Sequence, residues 1–536
     1  MPTLHWIGKE KVQKHHNDVP YRVLEKQYTY GEYGNDAPRV VSQDNMIIHG
    51  DNLEALKALL PEYQGKVDCI YIDPPYNTGN EGWVYNDNVN DPHIRKWLGA
   101  VVGKEAEDLT RHDKWLCMMY PRLVLLQKLL SPNGAIFISI DDNEQASLKL
   151  ICDEIFGAGN FVTQFIWQKR KGGGNDSKFI ANDHEYVIVY SKRKDYQEKW
   201  RVSYNEEYLK RYKYEDANGR YYYDTLSRPG LNNPIIYDVV CPDGSIIKNG
   251  TWQISQETFE KELHSGNVDF IKNKQGGFTV VRKVRIPLEG KVLRSILSES
   301  SNKDAADEMG VIFGNKKEFS TPKPVQLITT LIDLVSHKDA LILDSFAGSG
   351  TTAHAVLNLN KQDGGHRRFI LVEMCDYAET ITAERVRRVI DGYGEGSKAV
   401  EGTGGSFSFY ELGDTIYDPQ TGLLNDNADT EQIRRYIWYS ETNTPYHSPK
   451  DCWDDAGRVV SMHHPYLLGR KDGTNYYFYY KRGEETVLDR AFLNTFTPAD
   501  QAEQYIIYAD CCRLSREFMQ THHITFKQIP RDIKKV

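Results

Sequence analysis

Leu341-Ile342-Leu343-Asp344-Ser345-Phe346-Ala347-Gly348-Ser349-Gly350-Thr351-Thr352 decides the fold of this 536-residue chain. Three aliphatic residues make a short buried strand, and the small residues that follow make a tight turn. Residues 351–359 carry the spacing of a helix, and Phe369-Ile370-Leu371-Val372 is the next strand, closed by Glu373. Strand, Gly-rich turn, helix and second strand form the unit of a parallel α/β sheet. Small residues in such a turn let a ligand approach the backbone, and the helix N-terminus offers it unpaired N–H donors. A carboxylate about 20 residues further on, at the end of the next strand, is placed to accept from both hydroxyls of a ribose. Turn and carboxylate together predict a nucleoside cofactor. No Gly-Lys-Ser/Thr follows the turn, so it is not a Walker A loop.

The same rhythm runs upstream. Residues 45–50 form a strand ending in a turn, and Asp51-Asn52-Leu53-Glu54 has the form of a helix capping box, with Leu53, Leu56, Leu59 and Leu60 on one face. Val67-Asp68-Cys69-Ile70-Tyr71-Ile72 is a strand, halted by Asp73-Pro74-Pro75-Tyr76 because two prolines cannot continue a ladder. A helix over 115–130, a turn at Pro132-Asn133-Gly134, a buried strand over 135–140, a helix over 145–156 and a strand over 185–190 follow. From about Ser191 to Phe319 the rhythm breaks into Tyr-rich polar segments and short strand-like runs, as in an inserted domain. It resumes with a helix over 324–336 and the cofactor turn. A Gly-rich, then acidic stretch leads from Gly392 into a C-terminal region.

Composition sets limits. The chain is 40% hydrophobic and 26% charged, without an 18-residue apolar run or a signal-like start, which predicts a soluble cytoplasmic protein with no membrane role. Its eight cysteines are scattered and contain no C-x-x-C pair, against a zinc site or a disulfide framework; no metal-ligand cluster is expected. The net charge of −9 hides a basic middle: residues 166–214 hold 12 Lys/Arg against 7 Asp/Glu, a local balance of +5. A second basic stretch holds Lys272, Lys274, Arg282, Lys283, Arg285, Lys291 and Arg294. Charge runs usually mark a solvated face, but a local field of this sign also suits phosphates.

Asp73-Pro74-Pro75-Tyr76 is the sharper chemical signal. It can be a plain strand-terminating turn. It also fits the methylation of an exocyclic amino group, whose nitrogen is a poor nucleophile because its lone pair is delocalised into the ring. A carboxylate (Asp73) and a proline carbonyl (Pro74) accepting from that NH2 draw the nitrogen towards tetrahedral geometry and free the lone pair. Pro75 stiffens the turn, and Tyr76 can stack on a base taken out of the duplex.

With these motifs in order, the chain resembles the beta-class amino-methyltransferases of DNA, and most closely the modification subunits of type III restriction-modification systems. The resemblance covers about residues 45–195 and 319–390 and the insert between them. Asp73 to Gly79 is similar to the family's catalytic motif and Asp344 to Gly350 to its cofactor loop. Phe319-Ser320-Thr321-Pro322-Lys323-Pro324 is similar to the segment that closes over the cofactor's methionine end, His49-Gly50-Asp51 to the adenosine-contacting segment, and His184 to Lys192 to the strand before the target recognition domain. The resemblance implies S-adenosyl-L-methionine as cofactor, contacted by Asp51, Asp73, Lys323, Asp344, Phe346, Gly348, Ser349, Gly350 and Glu373. Asp73, Pro74, Pro75 and Tyr76 are then catalytic. Asp51 also reads as a helix cap and Lys323 as an exposed cation. Trp167 and Lys169 lie either along the path of the flipped base or, respectively, in the core and in solvent. His184 reads as structural.

The expected architecture is a doubly wound, mostly parallel, Rossmann-like methyltransferase sheet, circularly permuted, with an inserted target recognition domain and a C-terminal domain. The expected boundaries are an N-terminal extension (1–45), a catalytic half (46–190), the recognition domain (191–318), a cofactor half (319–394) and a C-terminal assembly or partner domain (395–536). The resemblance implies methylation of adenine N6 in double-stranded DNA by a homodimer with a separate restriction subunit. N4 of cytosine, a DNA-specificity subunit that no longer methylates, and an RNA- or protein-modifying enzyme are the rivals.

Overall fold

A computed structural model describes residues 3–31, 45–78, 96, 99–101, 111–172, 179–202, 204, 206–227, 230, 233–274, 276–286, 290–418, 421, 423–425, 427–446, 464–530 and 533. Residue contacts divide it into two units, 1–199 with 294–536, and Trp200–Leu293.

The large unit is built on one ten-stranded sheet. Its strands in chain order are β1 (Arg22–Gly31), β2 (Met46–His49), β3 (Val67–Ile72), β4 (Leu130–Ile140), β5 (Phe161–Gln168), β6 (His184–Ser191), β7 (Ile296–Leu297), β8 (Leu341–Asp344), β9 (Arg368–Glu373) and β10 (Ser406–Thr415). Their order across the sheet is β1-β10-β2-β9-β8-β3-β4-β6-β5-β7. Pairing is parallel except for β1 with β10 and β6 with its two neighbours β4 and β5. The chain leaves β8 towards β9 on one side and β3 towards β4 on the other, so the order reverses between β8 and β3. That is the switch point at which open α/β sheets bind ligands. The sheet is α/β, doubly wound and mostly parallel.

Five of the main helices follow from the same sequence runs; those over Asn302–Phe313, Glu384–Asp391 and Thr430–Thr442 were not expected from the sequence. In chain order the main helices are α1 (Asn52–Tyr63), α2 (Arg111–Leu129), α3 (Gln145–Cys152), α4 (Asn302–Phe313), α5 (Val325–Val335), α6 (Thr351–Asp363), α7 (Glu384–Asp391) and α8 (Thr430–Thr442). Asp51 caps α1, its carboxylate accepting from Leu53 N at 2.7 Å. Leu53, Leu56, Leu59 and Leu60 are buried with Leu116, Leu123 and Leu126 of α2 in one core that includes Ile48, Ile70, Ile138 and Leu343 of the sheet. Each such side chain contributes about 1.5–3 kcal/mol through burial.

Three features differ from the sequence expectation. Helix 145–156 ends at Cys152 and continues as a π-turn over Asp153–Gly157. The turn at Pro132-Asn133-Gly134 is carried inside β4 as an irregularity, Val67 facing Leu130 and Cys69 facing Ala135. β10, drawn from the expected C-terminal domain, lies parallel to β2 and antiparallel to β1, which belongs to the expected N-terminal extension. Among the described residues, the rest of the C-terminal region includes a four-stranded sheet and α8. Tyr446 N donates to Pro61 O at 2.9 Å, and Arg435 pairs with Glu62 at 2.8 Å, fixing this region to the end of α1.

Trp200–Leu293 lies inside the span expected to be inserted. It has a four-stranded antiparallel sheet, a hairpin (Ile235–Val240 with Ile246–Trp252) and a helix (Gln256–His264) around Leu226, Val239, Trp252, Phe259, Val268 and Val280. Part of its basic stretch is engaged internally: Arg285 holds Asp216 through two nitrogens at 2.6 and 2.9 Å, and Lys283 pairs with Asp216 and Asp269. Among the described residues no helix is long and apolar enough to cross a membrane.

Candidate active site

The two loops singled out in the sequence leave neighbouring parallel strands at the switch point, Leu343 on β8 facing Ile70 on β3. Asp344 and Asp73 therefore end their strands at one edge of the sheet. β6 runs antiparallel to β4, so its first residues, His184 and Glu185, come back to that same edge.

On the β8 side the loop from Ser345 to Gly350 folds over buried polar groups. Asp344 is 2% exposed; its carboxylate accepts from Phe346 N at 3.0 Å and from Thr352 Oγ1 at 2.5 Å. Burial pushes its pKa up to about 7 against these donors, and the charges of Asp73 and Glu373 add to the rise. Glu373, 3% exposed, accepts from Gly348 N at 2.7 Å and Cys375 N at 3.1 Å; burial raises its pKa too. Gly348 and Gly350 sit at φ 52° and 80°, and a Cβ at Gly350 would lie 3.0 Å from Thr382 O. Phe346 is half-buried against the main core, and Ser349 Oγ accepts from Arg385 Nη1 at 2.8 Å. Arg385 also donates to Thr351 Oγ1 at 2.9 Å and pairs with Glu308 at 3.4 Å, so a buried guanidinium underlies the loop. Asp51 caps α1, and its other oxygen faces Arg122 at 3.4 Å. Asn52 ties α1 to the loop by donating to Ser345 O at 2.9 Å.

A nucleoside with a cationic end fits this side. Ser345 Oγ is buried without a hydrogen-bond partner among the described residues. Glu373 accepts a backbone N–H on each oxygen, and the Cys375 and Tyr377 side chains also lie against it. Three carboxylates, Asp73, Asp344 and Glu373, repel one another closely enough to raise Asp344, a field that a positive group relieves.

On the β3 side Pro74 and Pro75 are buried, and Trp115 Nε1 of α2 donates to Pro75 O at 2.6 Å, fixing the turn from below. Asn77 follows at φ 59° and donates to Glu144 and to Arg111 O. Asp73, with a fifth of its side chain exposed, receives Lys323 Nζ on both oxygens, at 2.9 and 2.8 Å, and the Tyr76 hydroxyl on Oδ1 at 2.8 Å. Tyr76 OH also lies 3.0 Å from Glu185 Oε2, Lys323 Nζ 3.5 Å from the same oxygen, and Lys169 Nζ 3.3 Å from Glu185 Oε1. Burial holds the Asp73 pKa above its usual value despite Lys323. For Glu185 burial works in the same direction, but two lysines and a hydroxyl outweigh it and the pKa falls.

Every residue expected at the site is therefore at one edge of the sheet, with Lys323 engaged rather than solvated. Gly79, the last residue of the catalytic motif, lies outside the described residues. Trp167 is 1% exposed, donates to Ser300 O at 2.8 Å and stands with its ring 5.8 Å from Lys323 Nζ. His184 bonds Tyr186 OH at 3.0 Å. Sequence reading missed Glu185, Trp115 and Arg385. Glu185 had one available signal, an acidic residue opening an otherwise apolar strand.

A match to the DNA methylase family of N6 and N4 methyltransferases spans residues 67–384, more than half of the chain. The chain belongs to this family. It is 35% identical over 385 residues to the StyLTI Mod subunit of a type III restriction-modification enzyme from Salmonella typhimurium, covering 68% of this chain and 57% of that protein. It is 34% identical over 414 residues to the EcoPI Mod subunit from Escherichia phage P1, covering 69% and 63%. The chain thus spans about three fifths of the length of these relatives. Among solved structures, M1.HpyAVI with SAM covers 63% of this chain and 99% of that one at 17% identity and a TM-score of 0.31.

Proposed function

We propose that this DNA methylase family member transfers methyl from S-adenosyl-L-methionine to N6 of adenine in double-stranded DNA. In this reading it is the modification subunit of a type III restriction-modification system and acts in the cytoplasm. The observation that carries the reading is the carboxylate of Asp73 ending β3 beside the buried loop that ends β8. Glu373 and the backbone of 345–350 would hold the nucleoside part of the cofactor, and Asp51, Asp344 and Lys323 its remaining contacts. When bound, S-adenosyl-L-methionine supplies a methyl group made electrophilic by its sulfonium.

The chain's own residues do the rest. Asp73 and the Pro74 carbonyl accept the two amino hydrogens and orient the nitrogen lone pair. Trp115 holds the turn so that both acceptors keep their places, and positioning with electrostatic stabilisation supplies the rate. Asp73, ionised, also takes up positive charge developing on the nitrogen. The type III names of the relatives support work alongside a restriction subunit. A homodimer, with base recognition by the Trp200–Leu293 unit, completes the reading.

The test is modification-sensitive long-read sequencing of DNA from cells expressing this chain, beside Asp73→Ala. N6-methyladenine at one short motif, lost in the variant, is the expected result. Methylated cytosine would replace adenine by cytosine in the reading, and no modified base with DNA binding retained would favour a specificity subunit.

A further inference from the structure

Four charges stand in a row at the catalytic edge: Lys169, Glu185, Lys323 and Asp73, with successive separations of 3.3, 3.5 and 2.8 Å. The Tyr76 hydroxyl lies between the two carboxylates, 2.8 Å from Asp73 and 3.0 Å from Glu185, and its single proton serves only one of them at a time. Lys323 Nζ is 4.9 Å from the centre of the Tyr76 ring, against the surface a stacked base would need. In this arrangement an ammonium lies across both Asp73 oxygens, and an incoming amino group meets that positive charge at the acceptor it needs.

We propose that Glu185 is a positioning residue for methyl transfer: it is the second carboxylate, to which Lys323 and the Tyr76 hydroxyl pass when an amino group is presented to Asp73. The exchange is short. Lys323 already lies 3.5 Å from Glu185, and its flexible stem needs only a rotation to shorten that contact. Glu185 is also the carboxylate that keeps its charge more firmly, because Lys323 and, from the far side, Lys169 both support it. The net charge of the row is the same before and after; Lys323 then pairs with Glu185, and the Asp73 carboxylate takes the amino hydrogens as its partners. The exchange would clear the Tyr76 ring and free the Asp73 lone pairs together.

The inference rests on the proposed methyl transfer. A wild-type chain that leaves DNA unmethylated defeats that reading, whereas an active wild type with unaffected Glu185 variants defeats only this one. The experiment is single-turnover methylation of DNA carrying the recognition motif, at saturating S-adenosyl-L-methionine, with binding measured separately. Glu185→Gln keeps an acceptor for Tyr76 but loses the charge that draws Lys323 away. The expected loss is about 100-fold in the turnover rate, as for other small misplacements of reacting groups, with DNA and cofactor affinities held within about threefold. Glu185→Asp should recover part of the rate. Adding Lys323→Met to Glu185→Gln, with S-adenosyl-L-methionine shown to saturate the double variant because Lys323 is also a proposed cofactor contact, should raise the rate above that of Glu185→Gln alone, since the ammonium left on Asp73 is removed. A purely structural Glu185 does not give that recovery. A double variant no faster than Glu185→Gln, or a Glu185→Gln rate within threefold of wild type, overturns the inference. If Glu185→Gln melts below the assay temperature, Glu185→Asp with and without Lys323→Met carries the same comparison, and the same two outcomes overturn the inference.

Discussion

Asp344→Asn should stabilise the cofactor-free protein, and increasingly so as pH rises. Burial raises the Asp344 pKa from 3.8 to about 7. The unfolded carboxyl therefore loses its proton first, and the native state loses stability as pH climbs from about 4 to 7. Above about 7 both states are ionised and no further loss accrues. A shift of about 3 units at 1.36 kcal/mol each sets the ceiling at about 4 kcal/mol. Asparagine is neutral throughout, and it can accept from Phe346 N and donate to the Thr352 hydroxyl, so the loop keeps its bonds. Between pH 5.5 and 8 the variant's advantage should grow by about 2 kcal/mol. At about 1 °C per kcal/mol for a unit as large as 1–199 with 294–536, the two melting temperatures should part by roughly 2 °C over that range. Melting of both proteins in matched buffers reads the difference, since groups that do not feel Asp344 cancel and only Asp73 and Glu373 titrate against it. A difference that stays flat with pH, or shrinks as pH rises, would refute the assignment of a buried, reluctantly ionised carboxyl at this position. The same change should weaken cofactor binding, because a cation bound nearby favours the charged form that asparagine lacks.

Gly350→Ala puts a side chain at φ 80° and 3.0 Å from Thr382 O; stability should fall by about 1–3 kcal/mol and the cofactor dissociation constant should rise about tenfold or more, measured by denaturation and calorimetry. Trp115→Phe removes the 2.6 Å bond to Pro75 O; leaving that carbonyl unpaired should cost about 1–3 kcal/mol. Its kinetic effect should be a lower turnover rate with little change in KM for DNA, because the turn is loosened and the binding surface is not.

The middle of the sheet was legible from the sequence because its strands are short apolar runs, β3 stopped by Asp-Pro-Pro and β8 by small residues. What escaped was set by pairings that no local pattern encodes. β10 opens with Ser406-Phe407-Ser408-Phe409, ordinary strand residues, yet nothing in them says that their neighbours are residues 46–49 and 22–31. Glu185 gains its place only because β6 turns back against β4 and returns its first residues to the edge where β3 and β8 end. Arg385 looks like any cation of an amphipathic helix until the loop that it underlies is folded above it. Lys323 shows the converse: the motif was visible, but its engagement by two carboxylates depends on strands about 250 and 140 residues upstream in the chain, a separation only tertiary packing closes.

The pairing of β3 with β8 has a consequence for how the protein is made. Ile342 meets Cys69 across that seam, so the central strand of the sheet waits through some 270 residues of synthesis for one of its two neighbours. Until then Val67, Cys69 and Ile70, all fully buried in the finished protein, form an open strand edge on a nascent chain. Truncations ending before residue 340 should accordingly aggregate rather than yield a soluble catalytic half, and slow emergence of the later segments should lengthen dependence on chaperones. The permuted order that brings the two loops together thus makes the last-arriving strands the ones that render the first safe.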